Sequence, residues 1–542
     1  MATVFREIER KYDAGARAAA LDAVKSMIGV AGVAAVSQQD EEILDAVYYD
    51  TGDLRLIRAG VTLRRRTGGE DAGWHLKLPA GADTRDEIRL PLAAPADEPA
   101  GQTAAGNAAG GAASKSAGKA AGKVTGEAGG AVPEELAALV RARTRGAALG
   151  PVVHMRTRRG VLRLLGDASR TLAEIATDQV SAEQMDESTA TSWDEIEVEL
   201  VTGDLELLTA IDGRLRAAGA RPAPTATKLE RALGDRLPAG RAAGDAPGFI
   251  AAAGAPLTAR SPAGEVVLAY VRRQVLAISR YDPLVRRDEP DAVHQMRVAT
   301  RRARSALQAF GGIVERDRTR PLCDELKWLA AVLGQARDGE VLLARFTAEL
   351  AAIPADLVVG PVQTRITGHF SVELGQAGQA AVRELDGQRY FTLLDNLDML
   401  VTDPPLTPLA ARKAGKVLAK PVRRAGRRLR RALAAVPAAE DTDAAIHEAR
   451  KAAKRARYAA EAARPALGGK ARRQARRTKH LQGLLGDHHD SVVARTVLRD
   501  LADQARGAGE DTFTYGVMHE RQACQASEIE RTLPHLAARE KE

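Results

Sequence analysis

The chain has few aromatic side chains: Phe, Trp and Tyr make up 3% of its 542 residues. Proteins that bind single-stranded nucleic acid stack bases on such rings, so a nucleic-acid reading is disfavoured. Cysteine is scarcer still. Cys323 and Cys524 give neither a metal-ligand spacing nor a disulfide framework, which suits a reducing cytoplasm. No uninterrupted apolar run of about 18 residues occurs, so no membrane span is expected. The opening MATVFREIERKYD lacks the apolar stretch of a signal peptide. Apolar residues are 45% of the chain, enough for packed cores. Lys and Arg (79) outnumber Asp and Glu (71), for a net charge of +8. A basic surplus of this kind attracts anionic partners.

A single core stops growing at about 250–300 residues, so two or more domains are expected. Residues 1–235 mix strand patterns with helices. Strand patterns fall near 46–49, 61–66, 73–78, 84–90, 152–158, 161–165, 171–178 and 195–200, and helices near 14–28 and 204–217. Residues 92–132 collapse into Ala, Gly, Ser and Lys and read as a flexible insertion. A second Ala/Gly/Pro-rich stretch, 236–262, reads as a linker. From 263 to 535 the pattern is helical throughout, and it repeats. HQMRVATRRAR begins at His294 and HEARKAAKRAR begins 153 residues later at His447; LKWLAAVLGQARD, ending at Asp338, returns as TKHLQGLLGDHHD, ending at Asp490. Two related helical bundles, about 263–400 and 410–535, are expected around a pseudo-twofold axis.

In the first part, charge alternates with period two, the period of a strand. Glu7, Glu9 and Lys11 share one face. So do Arg64 and Arg66; His75 and Lys77; Arg85, Glu87 and Arg89; His154, Arg156 and Arg158; Glu174 and Asp178; and Glu195, Glu197 and Glu199. Interleaved positions are often apolar, as at Val153, Met155, Leu76, Ile196 and Val198. For one Glu-x-Glu a solvated face is the plain explanation. Six further segments alternating in this way point instead to an antiparallel barrel, apolar outside under helices and charged inside. Carboxylates suit Mg²⁺ or Mn²⁺, and Arg and Lys suit phosphate oxygens. A metal-bound polyphosphate satisfies both.

The ordered set Glu7-x-Glu9-x-Lys11, Leu63-Arg64-Arg65-Arg66, Leu76-Lys77-Leu78-Pro79, Arg85-x-Glu87, Arg156-x-Arg158, Glu174 to Asp178 and Glu195-Ile196-Glu197 resembles the CYTH family, the triphosphate tunnel metalloenzymes. The resemblance implies an α+β domain built on an eight-stranded antiparallel tunnel with flanking helices. It implies a metal-dependent enzyme that hydrolyses or cyclises triphosphates. By the same resemblance Glu7, Glu9, Glu87, Asp178, Glu195 and Glu197 are the metal-side acids. Lys11, Arg64, Arg66, Lys77, Arg156, Arg158 and Lys228 would grip the triphosphate.

In the helical part, His294, Arg297, Arg301 and Arg304 fall within one stripe of a helix, with Met296, Ala299, Ala303, Leu307 and Phe310 opposite. The second copy repeats this with His447, Arg450, Lys454 and Arg457. Two basic stripes packed together repel one another, and a polyanion is their natural complement. This part resembles the CHAD domain, a histidine-bearing helical module whose family is associated with inorganic polyphosphate. The pair His488-His489 reads as surface histidines rather than a metal site. The leading expectation is a cytoplasmic inorganic triphosphatase joined to a polyphosphate-binding module, open to association with polyphosphate granules. Thiamine triphosphatase, class IV adenylate cyclase and a non-catalytic polyphosphate binder remain alternatives.

Overall fold

The computed structural model describes residues 3–13, 17–81, 84–92, 130–186, 189–237 and 256–539. Most of the expected insertion (93–129) and linker (238–255) lies outside the described residues. The chain forms two compact units, residues 1–137 with 147–249, and residues 138–146 with 250–542. Residues 138–146 thus group with the helices although they fall inside the segment 1–235.

The first unit contains, among the described residues, β1 (Thr3–Asp13), β2 (Ala35–Gln38), β3 (Glu42–Asp50), β4 (Thr62–Thr67), β5 (Gly73–Pro79), β6 (Thr84–Pro91), β7 (Gly150–Leu165), β8 (Thr171–Gln184), β9 (Ala190–Leu200) and β10 (Arg221–Pro222). Eight of them close an antiparallel barrel in the order β1-β6-β5-β4-β3-β7-β8-β9, and β9 pairs back onto β1. The expected fold class holds: an eight-stranded antiparallel barrel with helices, followed by an all-helical region. The two strands expected at 152–158 and 161–165 are one 16-residue strand. Gly160 does not interrupt it; a Cβ there would meet the Thr177 hydroxyl at 3.2 Å.

Helices α1 (Arg17–Lys25), α2 (Arg55–Arg58), α3 (Glu134–Thr144), α4 (Leu205–Ala217) and α5 (Lys228–Leu233) accompany the strands. α1 and α4 cover the outer face, where Leu162, Leu164, Ile175, Ile196 and Val198 meet Val24, Leu207 and Ile211 in a buried cluster. Asp204 caps α4 by accepting the Leu207 N–H at 2.9 Å. α5 starts on a capping box, Thr227 with Glu230. Its Leu229, Ala232 and Leu233 pack with Val153, Met155, Val180 and Trp193, so this region of the barrel is apolar.

The second unit is built from α6 (Ala263–Arg286), α7 (Ala292–Ala309), α8 (Arg316–Ala351), α9 (Val362–Leu385), α10 (Gln388–Thr402), α11 (Ala414–Val417), α12 (Ala419–Ala435), α13 (Thr442–Ala462), α14 (Arg464–Gly507) and α15 (Phe513–Arg539). The sequence repeat places one copy on α7 and α8 and the other on α13 and α14. The apolar stripes are buried as their spacing requires: Met296, Ala299, Ala303, Leu307 and Phe310 in one copy, Ala449, Ala452, Ala456 and Ala460 in the other. α14 changes direction at Gly468, whose φ of 57° and ψ of −131° suit glycine.

Candidate functional sites

The tunnel site starts from strand register. Closure sets Lys11 opposite Glu197 and Glu9 opposite Glu199; β5 and β6 set Lys77 opposite Glu87; β7 and β8 set Arg159 opposite Asp178. Opposite charges facing across neighbouring strands support one another. These side chains line a cavity of about 70 Å³ with eight basic and six acidic groups. No aliphatic side chain lines it among the described residues, and Tyr48 is its one aromatic. The cavity has room for a few water molecules, because acids and bases interlock across it. Lys77 pairs with Glu7, Arg89 with Glu87 and Arg66 with Asp71. Lys11 reaches Glu197 at 2.6 Å and Arg85 reaches Glu9 at 3.3 Å.

Lys228, 7% exposed, closes one end of this network. Its ammonium lies 2.9 Å from Asp178, 2.6 Å from Glu195 and 2.6 Å from Glu197. Arg159 bridges Asp178 and Glu197, at 2.6 Å from each. Burial alone would raise the pKa of these acids. Arg159 and Lys228 nevertheless hold Asp178 low, and Lys11, Lys228 and Arg159 hold Glu197 well below the usual range. Burial would likewise lower Lys228, but Asp178, Glu197 and Glu195 raise it.

Neighbouring bases also hold Glu9 and Glu87 low against burial, but Glu7 and Glu199 are not so well served. Burial, together with neighbouring Glu87, pushes Glu7 up to about 7 against the pull of Lys77. Burial raises Glu199 as well, and Glu9, Glu197 and Glu87 add to the effect. Crowded carboxylates held away from ionisation are what a hard divalent cation relieves, and an all-oxygen donor set matches Mg²⁺ or Mn²⁺. Asp178, Glu195 and Glu197 also offer one oxygen each within 4.8 Å of one another, but the Lys228 ammonium already serves them. Glu7 and Glu199, which line the cavity with Glu9 and Glu87, are thus the acids that gain most from a divalent cation.

Glu7, Glu9, Lys11, Arg64, Arg66, Lys77, Glu87, Glu197 and Lys228 meet in one cavity, with Asp178 and Glu195 against Lys228. Arg156 and Arg158 do not join them. Both are exposed, and Arg158 reaches toward Glu41 on the outer face at 3.9 Å. Arg159 takes the inward place. The pattern misled because Val153 and Met155 read as outward apolar positions, whereas they point into the apolar region under α5. Arg85 and Arg89 also line the cavity without having been assigned a role. The signal for Arg159 was its register with Asp178, which sequence spacing alone does not supply.

In the helical unit, the two stripes come together where α7 packs on α13. Burial, then Arg450, Arg301 and Arg297, push Lys454 down to about 7, with Asp490 opposing. Each copy holds its first arginine in the same way. Arg297 pairs with Asp338 at 2.6 Å, and a Cβ on Gly334 would meet its guanidinium at 3.2 Å; Arg450 pairs with Asp490 at 3.7 Å, against Gly486. The Leu-Gly…Asp motifs thus seat these arginines. Arg457 is tied to Glu461 at 2.7 Å. His294 lies near Arg337, and the His447 ring lies 4.9 Å from that of His489. Arg301, Arg304 and Lys454 make no ion pair among the described residues, and Arg301 bonds to Tyr458. With His447 they line a cavity of about 600 Å³. The surface reading of His488 is overturned: it is 1% exposed, facing Glu530 and Asp443.

A closed barrel with a charged lining, followed in the chain by a tandem helical unit with a basic groove, defines a tunnel-type domain of phosphate chemistry joined to a helical repeat. The comparisons agree. The CYTH domain matches residues 6–227 and the CHAD domain matches residues 269–499. Over 540 residues the chain is 37% identical to the uncharacterized proteins MT2285 and Rv2226 of Mycobacterium tuberculosis, covering 95% of this chain and 93% of each. The CHAD domain structure from the plant Ricinus communis is 28% identical, covering 52% of this chain and 94% of its own, with a TM-score of 0.44. The chain belongs to the family that joins a CYTH domain to a CHAD domain. CYTH members are metal-dependent enzymes acting on phosphoanhydrides. Among the described residues no helix is long and apolar enough to cross a membrane.

Proposed function

We propose that the tunnel hydrolyses inorganic triphosphate with Mg²⁺ or Mn²⁺. The observation that carries this reading is the lining itself: eight bases and six acids, with no aliphatic wall to receive a thiazole, pyrimidine or purine ring. A ligand of phosphate alone can use such a wall throughout. Lys11, Arg64, Arg66, Lys77 and Arg159 bind and orient phosphoryl oxygens and neutralise the charge that resists nucleophilic attack. In doing so they leave their present partners, Glu197, Glu7 and Asp178. Lys228 still serves Asp178 and Glu197, and a divalent metal held by Glu7 and its neighbouring acids would supply the charge lost there and would polarise phosphoryl oxygen and water. Triphosphate and metal should therefore bind cooperatively. The test is phosphate release by the full chain from triphosphate, thiamine triphosphate, ATP and long-chain polyphosphate with each metal. Triphosphate should be the best substrate; cyclic AMP from ATP as the main product would sink the reading.

The second half of the proposal is that the groove between α7 and α13 binds inorganic polyphosphate. Its support, among the described residues, is the lack of acidic ion-pair partners at Arg301, Arg304 and Lys454, together with buried Nε atoms of Arg297, Arg301, Arg304 and Arg450 that have no hydrogen-bond partner. Buried donors left in this state call for an acceptor. Charge reversal of Arg301 with Arg304, or of Lys454, should weaken polyphosphate binding and flatten its salt dependence. Triphosphate turnover should be unchanged.

A further inference from the structure

Three helices of the second unit converge on a cluster outside the basic groove. Asp443 stands in the first turn of α13, His488 lies mid-way along α14, and Glu530 lies on α15. His488 is 1% exposed, and its Nε2 lies 2.9 Å from Glu530 Oε1 and 3.6 Å from Asp443 Oδ1. One nitrogen carries one proton and can satisfy one of these carboxylates, yet it faces both. One donor atom from each residue lies within 4.8 Å of the other two. Ligands about 2.0–2.2 Å from a tetrahedral Zn²⁺ are about 3.3–3.6 Å apart, so the two His488 contacts need adjustments of tenths of an ångström, and the two carboxylates, within 4.8 Å of each other, need to close by at most about 1.5 Å. The other Asp443 oxygen lies 3.8 Å from Arg495, which orients the carboxylate from outside. The side chains of Asp443 and Glu530 are 46% and 37% exposed, so solvent can reach the cluster and complete the coordination.

The repeat indicates that this histidine is not needed for packing. The position equivalent to His488 in the first copy, 152 residues earlier, is Ala336, buried in the core of its own bundle. The second copy has put an imidazole where the fold accepts a methyl group, and has turned two carboxylates from other helices toward it.

We propose that Asp443, His488 and Glu530 form a site for a borderline divalent transition cation, Zn²⁺ in the first place, which ties α13, α14 and α15 together. The donor set selects it: an imidazole nitrogen favours Zn²⁺ over Mg²⁺ and Ca²⁺, and two carboxylates complete a three-ligand set with an open position. The site is independent of the tunnel and of the polyphosphate reading.

The test uses the full chain, stripped with chelator, with excess Mg²⁺ present to occupy the tunnel. Zn²⁺ is titrated against parent, Glu530→Gln and His488→Ala. The parent should take up one equivalent more than His488→Ala. Loss of an outer-shell partner already costs about 10–100-fold in affinity, so Glu530→Gln, losing a ligand, should bind at least about tenfold more weakly. The amide oxygen of that variant can still accept from His488, so it keeps the fold even where the alanine variant fails to fold. Co²⁺ in place of Zn²⁺ should give the visible absorption of a tetrahedral nitrogen–oxygen site in the parent, much reduced in Glu530→Gln. Zn²⁺ should raise the melting temperature of the parent and not that of Glu530→Gln. Equal Zn²⁺ affinity in parent and Glu530→Gln, or no uptake by the parent, would overturn the proposal.

Discussion

Replacing Lys228 by Met tests the electrostatics of the tunnel most sharply. The change removes an ammonium that lies 2.6–2.9 Å from three carboxylates, Asp178 and Glu195 buried and Glu197 partly so, and keeps most of the side-chain volume. Removing one partner of a buried ion pair costs about 3–5 kcal/mol, because the other charge is left uncompensated. Arg159 still bridges Asp178 and Glu197, so the lower end of that range is expected. For a unit of this size it corresponds to a fall in melting temperature of roughly 6–12 °C. The loss must depend on pH. Asp178 and Glu197 have lowered pKa values in the folded parent, so their stabilisation is present above the unfolded carboxylate value and disappears as pH falls through the folded values. In the variant those values rise. The difference between parent and variant should therefore be full at pH 7 and shrink as pH falls below about 4. With the ammonium gone, the three acids become a ready cation site, and Mn²⁺ should restore more stability to the variant than it adds to the parent. The assay is calorimetric unfolding of the full chain across pH, with and without Mn²⁺. A variant as stable as the parent at pH 7, or a loss equally large in acid, would refute the reasoning.

Three further outcomes follow. Arg159→Ala should lower triphosphate turnover by at least about a hundredfold, as for loss of a preorganised transition-state donor, while Arg156→Ala and Arg158→Ala should stay within about twofold, since both point outward; steady-state kinetics on folded variants decides. Glu9→Gln should abolish metal-dependent turnover in a folded protein of lower melting temperature, because an amide cannot offer a hard cation the same charge and leaves Lys11 and Arg85 without this carboxylate; near-parental activity would remove Glu9 from the metal end. Lys454 is held at about 7 by burial, with Arg450, Arg301 and Arg297 around it and Asp490 opposing. Polyphosphate favours its charged form, so affinity should be flat below pH 7 and fall by up to about tenfold per pH unit above it; Lys454→Arg should abolish that pH dependence in calorimetric titrations.

Much of this protein was legible in its residue order. Period-two charge identified the shared faces of β1, β4, β6 and β9, and those faces do line the barrel. The recurrence from His294 to His447 defined the helical repeat, and the burial of Met296 and Ala449 follows from a period of 3.6. Both are local properties: spacing along a strand or helix decides which side chains share a side. Spacing does not decide which side faces inward. In β7 the alternation was correct and its direction was reversed, because the barrel is charged at one end and apolar beneath α5, so Met155 and Arg159 point the same way. Nor could it join residues that meet only through closure or packing. Lys228 reaches acids from two other strands, the Lys454 stripe meets that of Arg301 only when α7 packs on α13, and Asp443, His488 and Glu530 come from three helices. Their chemistry depends on separations of a few ångströms between segments far apart in the chain, and those distances exist only once the barrel has closed and the bundles have packed.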